Sequence, residues 1–197
     1  MLLYDSAISG NCYKVRLLFA KLGIAYDRRE LSVFDRSDRP EVLGELNPAL
    51  RVPTLVLDDG RALAESGAIL YHFAEGTELV PDDAFERAQV LQWMFFEQYN
   101  HEPNIAVLRF WNEAGTVHTD QEVQAKRAGG EAALQAMERH LGDRTFLVGE
   151  RCTIADLALY AYTHLAPEGG FSLQPYPAIT AWLARVADQP GHVAIDD

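Results

Sequence analysis

The sequence predicts an α/β plus all-α chain, a mixed half followed by a helical one, from three observations. Short apolar runs alternate with helical patterns over the first 80 residues, and helical periodicity alone follows. Between the two lies a segment, residues 77–83, with a proline and three acids, read as an interdomain connection. The expected domains are therefore residues 1–77 and 84–197.

In order, Leu2–Asp5 is a short strand candidate. Residues 11–23 carry apolar side chains at 15, 18, 19 and 22, a helical spacing that Gly23 ends as a C-cap. Residues 25–33 read as a second strand, with Tyr26, Arg28 and Glu30 on one side, and 40–46 as a short helix. Strands at 54–57 and 61–63 flank Asp58-Asp59-Gly60, a hairpin signal. A helix over 66–75 with Ser66 as N-cap completes the order β-α-β-α-β-β-α. In the second half, 85–113 is one long helical pattern that Pro103 should bend. Residues 119–141 form a second long helix that tolerates Gly129-Gly130 at some cost. Residues 154–165 are apolar nearly all round, as in a helix buried within a bundle, and 176–187 are amphipathic.

Composition narrows the function classes. A net charge of −12 argues against nucleic acid or an anionic membrane as a general partner, because binding to phosphates rests on Lys and Arg. No apolar run reaches the length of a membrane span, and the first residues meet a charge at Asp5 without a signal-like apolar stretch. Two cysteines, Cys12 and Cys152, make no disulfide framework, so a reducing cytoplasm is expected. The six histidines show no metal-ligand spacing, no phosphate loop is present, and no metal is expected.

Three sites carry chemistry. Ser9-Gly10-Asn11-Cys12 lies where the first strand meets the first helix. The helix dipole and free N–H groups there favour a thiolate, and with serine first the thiol must come from a ligand. The plain alternative is that Ser9 and Asn11 only cap the helix. Arg51-Val52-Pro53-Thr54 precedes the hairpin; about one X-Pro bond in twenty is cis, and a cis bond here would offer the preceding backbone to an extended ligand. Glu65-Ser66 opens the third helix, where N–H donors and a hydroxyl suit a carboxylate and Glu65 suits an ammonium group. An ordinary cap beside a surface acid is the bland alternative.

Together these sites resemble a known pattern. The element order resembles a thioredoxin-like fold, which carries Cys-x-x-Cys at the Ser9 position. Ser9 to Arg16, Asn47-Pro48 with Arg51 to Leu55, and Glu65 to Tyr71 resemble the N-terminal signature of cytosolic glutathione transferases. Cys152-Thr153-Ile154-Ala155-Asp156 resembles the capping segment of that family's C-terminal domain, with Thr153 and Asp156 read as folding residues. The resemblance covers nearly the whole chain and implies a thioredoxin-like N-terminal domain followed by an all-helical C-terminal domain.

It also implies roles. Glu65 and Ser66 would hold the γ-glutamyl end of glutathione, Val52 before Pro53 would pair with the cysteinyl backbone, and Arg51 would sit near the glycyl carboxylate. Ser9 matches the activating serine of theta-, delta- and zeta-like classes, and Asn11 the asparagine of some bacterial members; which dominates is left open. Tyr4 and Cys12 are read as packed. Tyr99, His101, Phe110 and Trp111 are candidates for the second-substrate pocket, whereas Trp93, Phe95 and Phe96 are read as core. The implied activity is transfer of glutathione, the co-substrate, to small hydrophobic electrophiles, with no cofactor. The alternatives are a glutathione-dependent disulfide or peroxide reductase, or a non-catalytic binding module. A homodimer is implied, with Phe95, Phe96 and Tyr99 as apolar surface and Glu97 or Gln98 reaching the neighbour's ligand.

Overall fold

A computed structural model describes residues 1–197. They form two compact units, Met1–Glu75 with Pro190–Asp197, and Gly76–Gln189.

The first unit is built on a four-stranded sheet in the order β2-β1-β3-β4, with β1 Leu2–Asp5, β2 Asp27–Glu30, β3 Thr54–Val56 and β4 Ala62–Ala64. β1 runs parallel to β2 and antiparallel to β3, and β3 antiparallel to β4. β2 is shorter than the expected 25–33, because an edge strand extends only as far as its one partner, and β1 has four residues. Three helices complete the unit: α1 Gly10–Leu22, α2 Arg39–Leu43 and α3 Ser66–Ala74. Gly23 ends α1 at φ 64°, a left-handed conformation that glycine adopts without a Cβ penalty.

The last eight residues also belong to this unit, not to the helical one in which the reading of 84–197 placed them. They are strapped to α1 through their backbone. Tyr13 Oη donates to the Val193 carbonyl at 2.6 Å, Arg16 Nη2 to that of Ile195 at 2.8 Å and Lys21 Nζ to that of Pro190 at 3.0 Å.

The second unit is wholly helical: α4 Ala84–Phe96, α5 Glu102–Ala114, α6 Asp120–Leu141, α7 Ile154–Thr163 and α8 Pro177–Ala187. α7 is buried along its whole length and forms the centre of the core. The long helix 85–113 is interrupted by a π-helical turn, Glu97–His101, directly ahead of Pro103. Pro103 has no N–H to donate and its ring crowds the preceding turn; widening that turn is a way to admit it. The N–H of Glu102 accordingly bonds to the Glu97 carbonyl, five residues back. No helix is long and apolar enough to cross a membrane.

Gly129-Gly130 has a packing reason. A Cβ on Gly130 would lie 2.4 Å from ring carbons of Phe171 and 3.2 Å from Ile105 Cγ1. Gly130→Ala should therefore destabilise by about 1–3 kcal/mol through overpacking, despite alanine's better helix propensity. In thermal denaturation, Phe171→Leu added to Gly130→Ala should recover part of the lost Tm; an unchanged Tm in the single variant would contradict the close packing.

Candidate active site

The loop carrying Ser9 is held from below by a buried ion pair. Asp5, fully buried at the end of β1, accepts from Arg16 Nη1 at 2.8 Å and pairs with Arg28 Nε at 2.7 Å. Arg16 also donates to the Ser6 carbonyl at 3.3 Å and the Ala7 carbonyl at 2.8 Å. The Ala7 N–H bonds to Glu30 Oε1 at 2.9 Å and the Ser9 N–H to the Ser6 carbonyl at 3.0 Å. Ser6, Ala7 and Ser9 are thereby tied down through their backbone at the approach to α1.

Ser9 caps α1, its Oγ accepting from the Cys12 N–H at 3.3 Å. That bond uses a lone pair and leaves the hydroxyl hydrogen to donate elsewhere. Cys12 is fully buried, and burial followed by the Asp5 charge pushes its thiol above the usual range. It is packed, as the sequence reading has it, and supplies no thiolate. Tyr4 is packed too, against Leu31 and Leu43.

Asn11 joins two of the three predicted sites. Its Oδ1 accepts from Lys14 Nζ at 2.7 Å and from Ser66 Oγ, in the first turn of α3, at 3.3 Å. Residues 55 positions apart in sequence thus share one acceptor. The sheet register explains how: Tyr4 stands opposite Thr54, and Thr54 opposite Ala64. The chain leaves β1 toward Ser9, enters β3 from Pro53 and leaves β4 toward Glu65, all at one end of the sheet.

The Val52-Pro53 bond is cis. Ahead of it, buried Asn47 donates through Nδ2 to the Arg51 carbonyl and to Thr54 Oγ1, both at 3.0 Å, and Thr54 Oγ1 donates to the Arg51 carbonyl at 2.7 Å. The Arg51 backbone is tied down while its side chain is exposed. Glu65 is exposed at φ 67°, in the left-handed region unusual for a non-glycine residue, and Ser66 behind it is buried. Residues of this kind cluster where a backbone meets a ligand.

The candidates in the helical unit differ in exposure. His101 is fully buried, with Nε2 2.9 Å from Thr163 Oγ1, and it belongs to the core rather than to a pocket. Because Thr163 already donates to the Leu159 carbonyl, His101 Nε2 carries the proton in that contact. Tyr99 is 82% exposed, Phe110 is half-buried, and half-buried Trp111 is stacked on His118 with ring centroids 3.5 Å apart. Trp93 is core, but Phe95 is 68% exposed. The helix turns Val90, Trp93, Met94 and Glu97 inward, which puts Phe95 and Tyr99 on the outside. Glu97 is buried and accepts from Gln98 Nε2 at 2.7 Å, so it does not reach outward.

Comparison with known proteins agrees with this architecture. Residues 3–80 match the profile of the glutathione S-transferase N-terminal domain, and residues 91–190 that of its C-terminal domain. The chain belongs to the glutathione S-transferase family. The crystal structure of a glutathione S-transferase from Pseudomonas fluorescens Pf-5 shares 43% identity with it, with TM-score 0.96 over 100% of this chain and 98% of that one. Glutathione S-transferase 2 of Anopheles gambiae is 29% identical over 93% of this chain and 88% of its own length. Elongation factor 1-gamma of Artemia salina is 32% identical over 86% of this chain, which spans 39% of that protein.

In this glutathione transferase the three sequence motifs lie at one end of the sheet, and two of their supports carry no sequence signature. Asp5 and Arg16 lie eleven positions apart on different elements, and pattern gave no sign that they pair. Lys14 was indistinguishable from a surface lysine, yet it is fully buried. Replacing Arg16 with Met leaves Asp5 with one cation and should cost about 3–5 kcal/mol of stability. Chemical denaturation measures it, and a loss under about 1 kcal/mol would show that the loop is held by other contacts.

Proposed function

We propose that this transferase activates the thiol of glutathione for attack on small apolar electrophiles, acting as a cytoplasmic homodimer. The observation that carries the reading is the shared acceptor Asn11 Oδ1, which ties the first turn of α3 to the first turn of α1. One helix N-terminus suits the α-carboxylate of the γ-glutamyl group and the other suits a thiolate. Glutathione carries both groups. Exposed Glu65 suits its α-ammonium, the Val52 backbone its cysteinyl backbone, and the exposed Arg51 side chain its glycyl carboxylate.

The chemistry follows from thiol ionisation. A thiol of pKa near 8.5 is only about 3% thiolate at neutral pH, and a shift of about two units makes it about three-quarters thiolate. The Ser9 hydroxyl, the Asn11 amide and the α1 dipole are the groups available to produce that shift. Sulfur then attacks the electrophilic carbon while the leaving group departs with the bonding pair, and holding both reactants together supplies further rate. Tyr99, Phe110 and Trp111 remain candidates for contacting the electrophile. A glutathione-dependent disulfide reductase is the second reading, favoured by the asparagine beside Ser9. Parallel assays with a chloronitrobenzene and with hydroxyethyl disulfide separate the two.

Ser9→Ala should slow conjugation about ten- to a hundredfold, the equivalent of a hydrogen bond to a charged acceptor worth about 1.5–3 kcal/mol. Steady-state kinetics checks it, and an unchanged rate would remove Ser9 from thiol activation. Glu65→Ala should instead raise the glutathione Kd measured by calorimetry, because its ammonium partner lies far from the reacting sulfur.

The dimer is supported by Phe95 and Tyr99, 68% and 82% exposed and one turn apart on the same side of the helix. A second copy would cover that stripe. Light scattering should give a mass near 44 kDa, twice the 22.0 kDa of one chain. A monomer that still conjugates glutathione would contradict the dimer.

A further inference from the structure

Lys14 has no side-chain surface in contact with solvent, and its ammonium donates to Asn11 Oδ1 at 2.7 Å. Burying an ammonium group is costly unless polar groups around it are paired with it, so its charge acts strongly on those neighbours. Lys14 lies one helical turn beyond Asn11, in the first turns of the helix that Ser9 caps.

The chemistry of the contact fixes the direction of the Asn11 side chain. An ammonium has three donors and no acceptor, so only a carboxamide oxygen can face it at this distance. The Ser66 hydroxyl lies 3.3 Å from that same oxygen. With Oδ1 turned to Lys14 and Ser66, the planar amide must carry Nδ2 away from the ammonium. A cation on the oxygen also draws electron density from the amide nitrogen, which makes its N–H groups stronger donors.

We infer that Lys14 is a positioning residue for thiol activation: through Asn11 Oδ1 it orients the Asn11 amide and strengthens Nδ2 as a donor to the glutathione sulfur. The inference rests on the glutathione reading given above. It also resolves the choice between Ser9 and Asn11 into two donors, one set by the helix cap and the other by a buried cation.

The test compares the wild-type protein with Lys14→Met and Lys14→Gln, the latter keeping a donor, one bond shorter, without the charge. S-methylglutathione, which has no thiol to ionise, reports the integrity of the site by calorimetry. Its Kd should stay within about threefold in Lys14→Gln. Ultraviolet titration of bound glutathione should show the thiolate appearing about one pH unit higher in both variants, and kcat/KM at pH 6.5 should fall about tenfold. A purely structural lysine would lower Tm and leave the thiolate titration in place. An unshifted titration in either variant that binds S-methylglutathione normally overturns the role of Lys14. Wild-type protein that fails to bind S-methylglutathione would instead overturn the glutathione reading, and this inference with it. If neither variant folds, the Asn11 side-chain amide protons of the wild-type protein decide by NMR. They should move downfield as bound glutathione ionises and stay fixed with S-methylglutathione; no difference between the ligands overturns the proposal.

Discussion

Asp5 sits at the end of β1 with no exposure to solvent, and its carboxylate meets guanidinium groups from α1 and β2. A charge in that position must be paired, because leaving it alone in a low-dielectric interior would cost several kcal/mol. Satisfying Asp5 brings Arg16 under the β1–α1 loop, where its remaining donors take the Ser6 and Ala7 carbonyls. The same guanidinium holds the Ile195 carbonyl of the C-terminal strap. The position of Ser9, and with it the start of α1, therefore depends on Asp5 and the two arginines paired with it.

The helical unit uses a similar device for a different purpose. Asp156 is fully buried and receives the N–H groups of Leu147 and Thr153, the Thr153 hydroxyl and Trp182 Nε1 at 2.8–3.0 Å. Burial raises its tendency to hold a proton, and the donated bonds oppose that tendency. The Thr153–Asp156 capping box was readable as a pattern, and it starts the most buried helix of the chain. Its longer reach was not readable: the same carboxylate also fixes the loop at Leu147 and the indole on α8. A capping residue thus becomes the node of a core.

What the sequence made legible were features with a local cause. The Asp-Gly hairpin, the glycine cap at Gly23, the serine cap at Ser9 and the all-apolar run of α7 each depend on neighbouring residues, and each is found. The misplacements share the opposite character. His101 is a pocket candidate only through the family resemblance, but the turn that buries it is set by Pro103 and by Thr163 of another helix. Phe95, expected in the core from its spacing and on an apolar surface from the family resemblance, is placed outside by helical phase. The strap of residues 190–197 is held by backbone carbonyls, which leave no residue signature at all. Lys14 was silent for a related reason, since burial of a lysine is decided by what packs over it.

In the proposed function, binding of glutathione to the joined first turns of α1 and α3 converts its thiol to a thiolate. Calorimetric titration at pH 7 in two buffers of different ionisation enthalpy counts the protons released on binding. Release of about 0.7 proton per site is expected with glutathione, following a pKa shift of about two units, and none with S-methylglutathione. Binding of glutathione without proton release would contradict it.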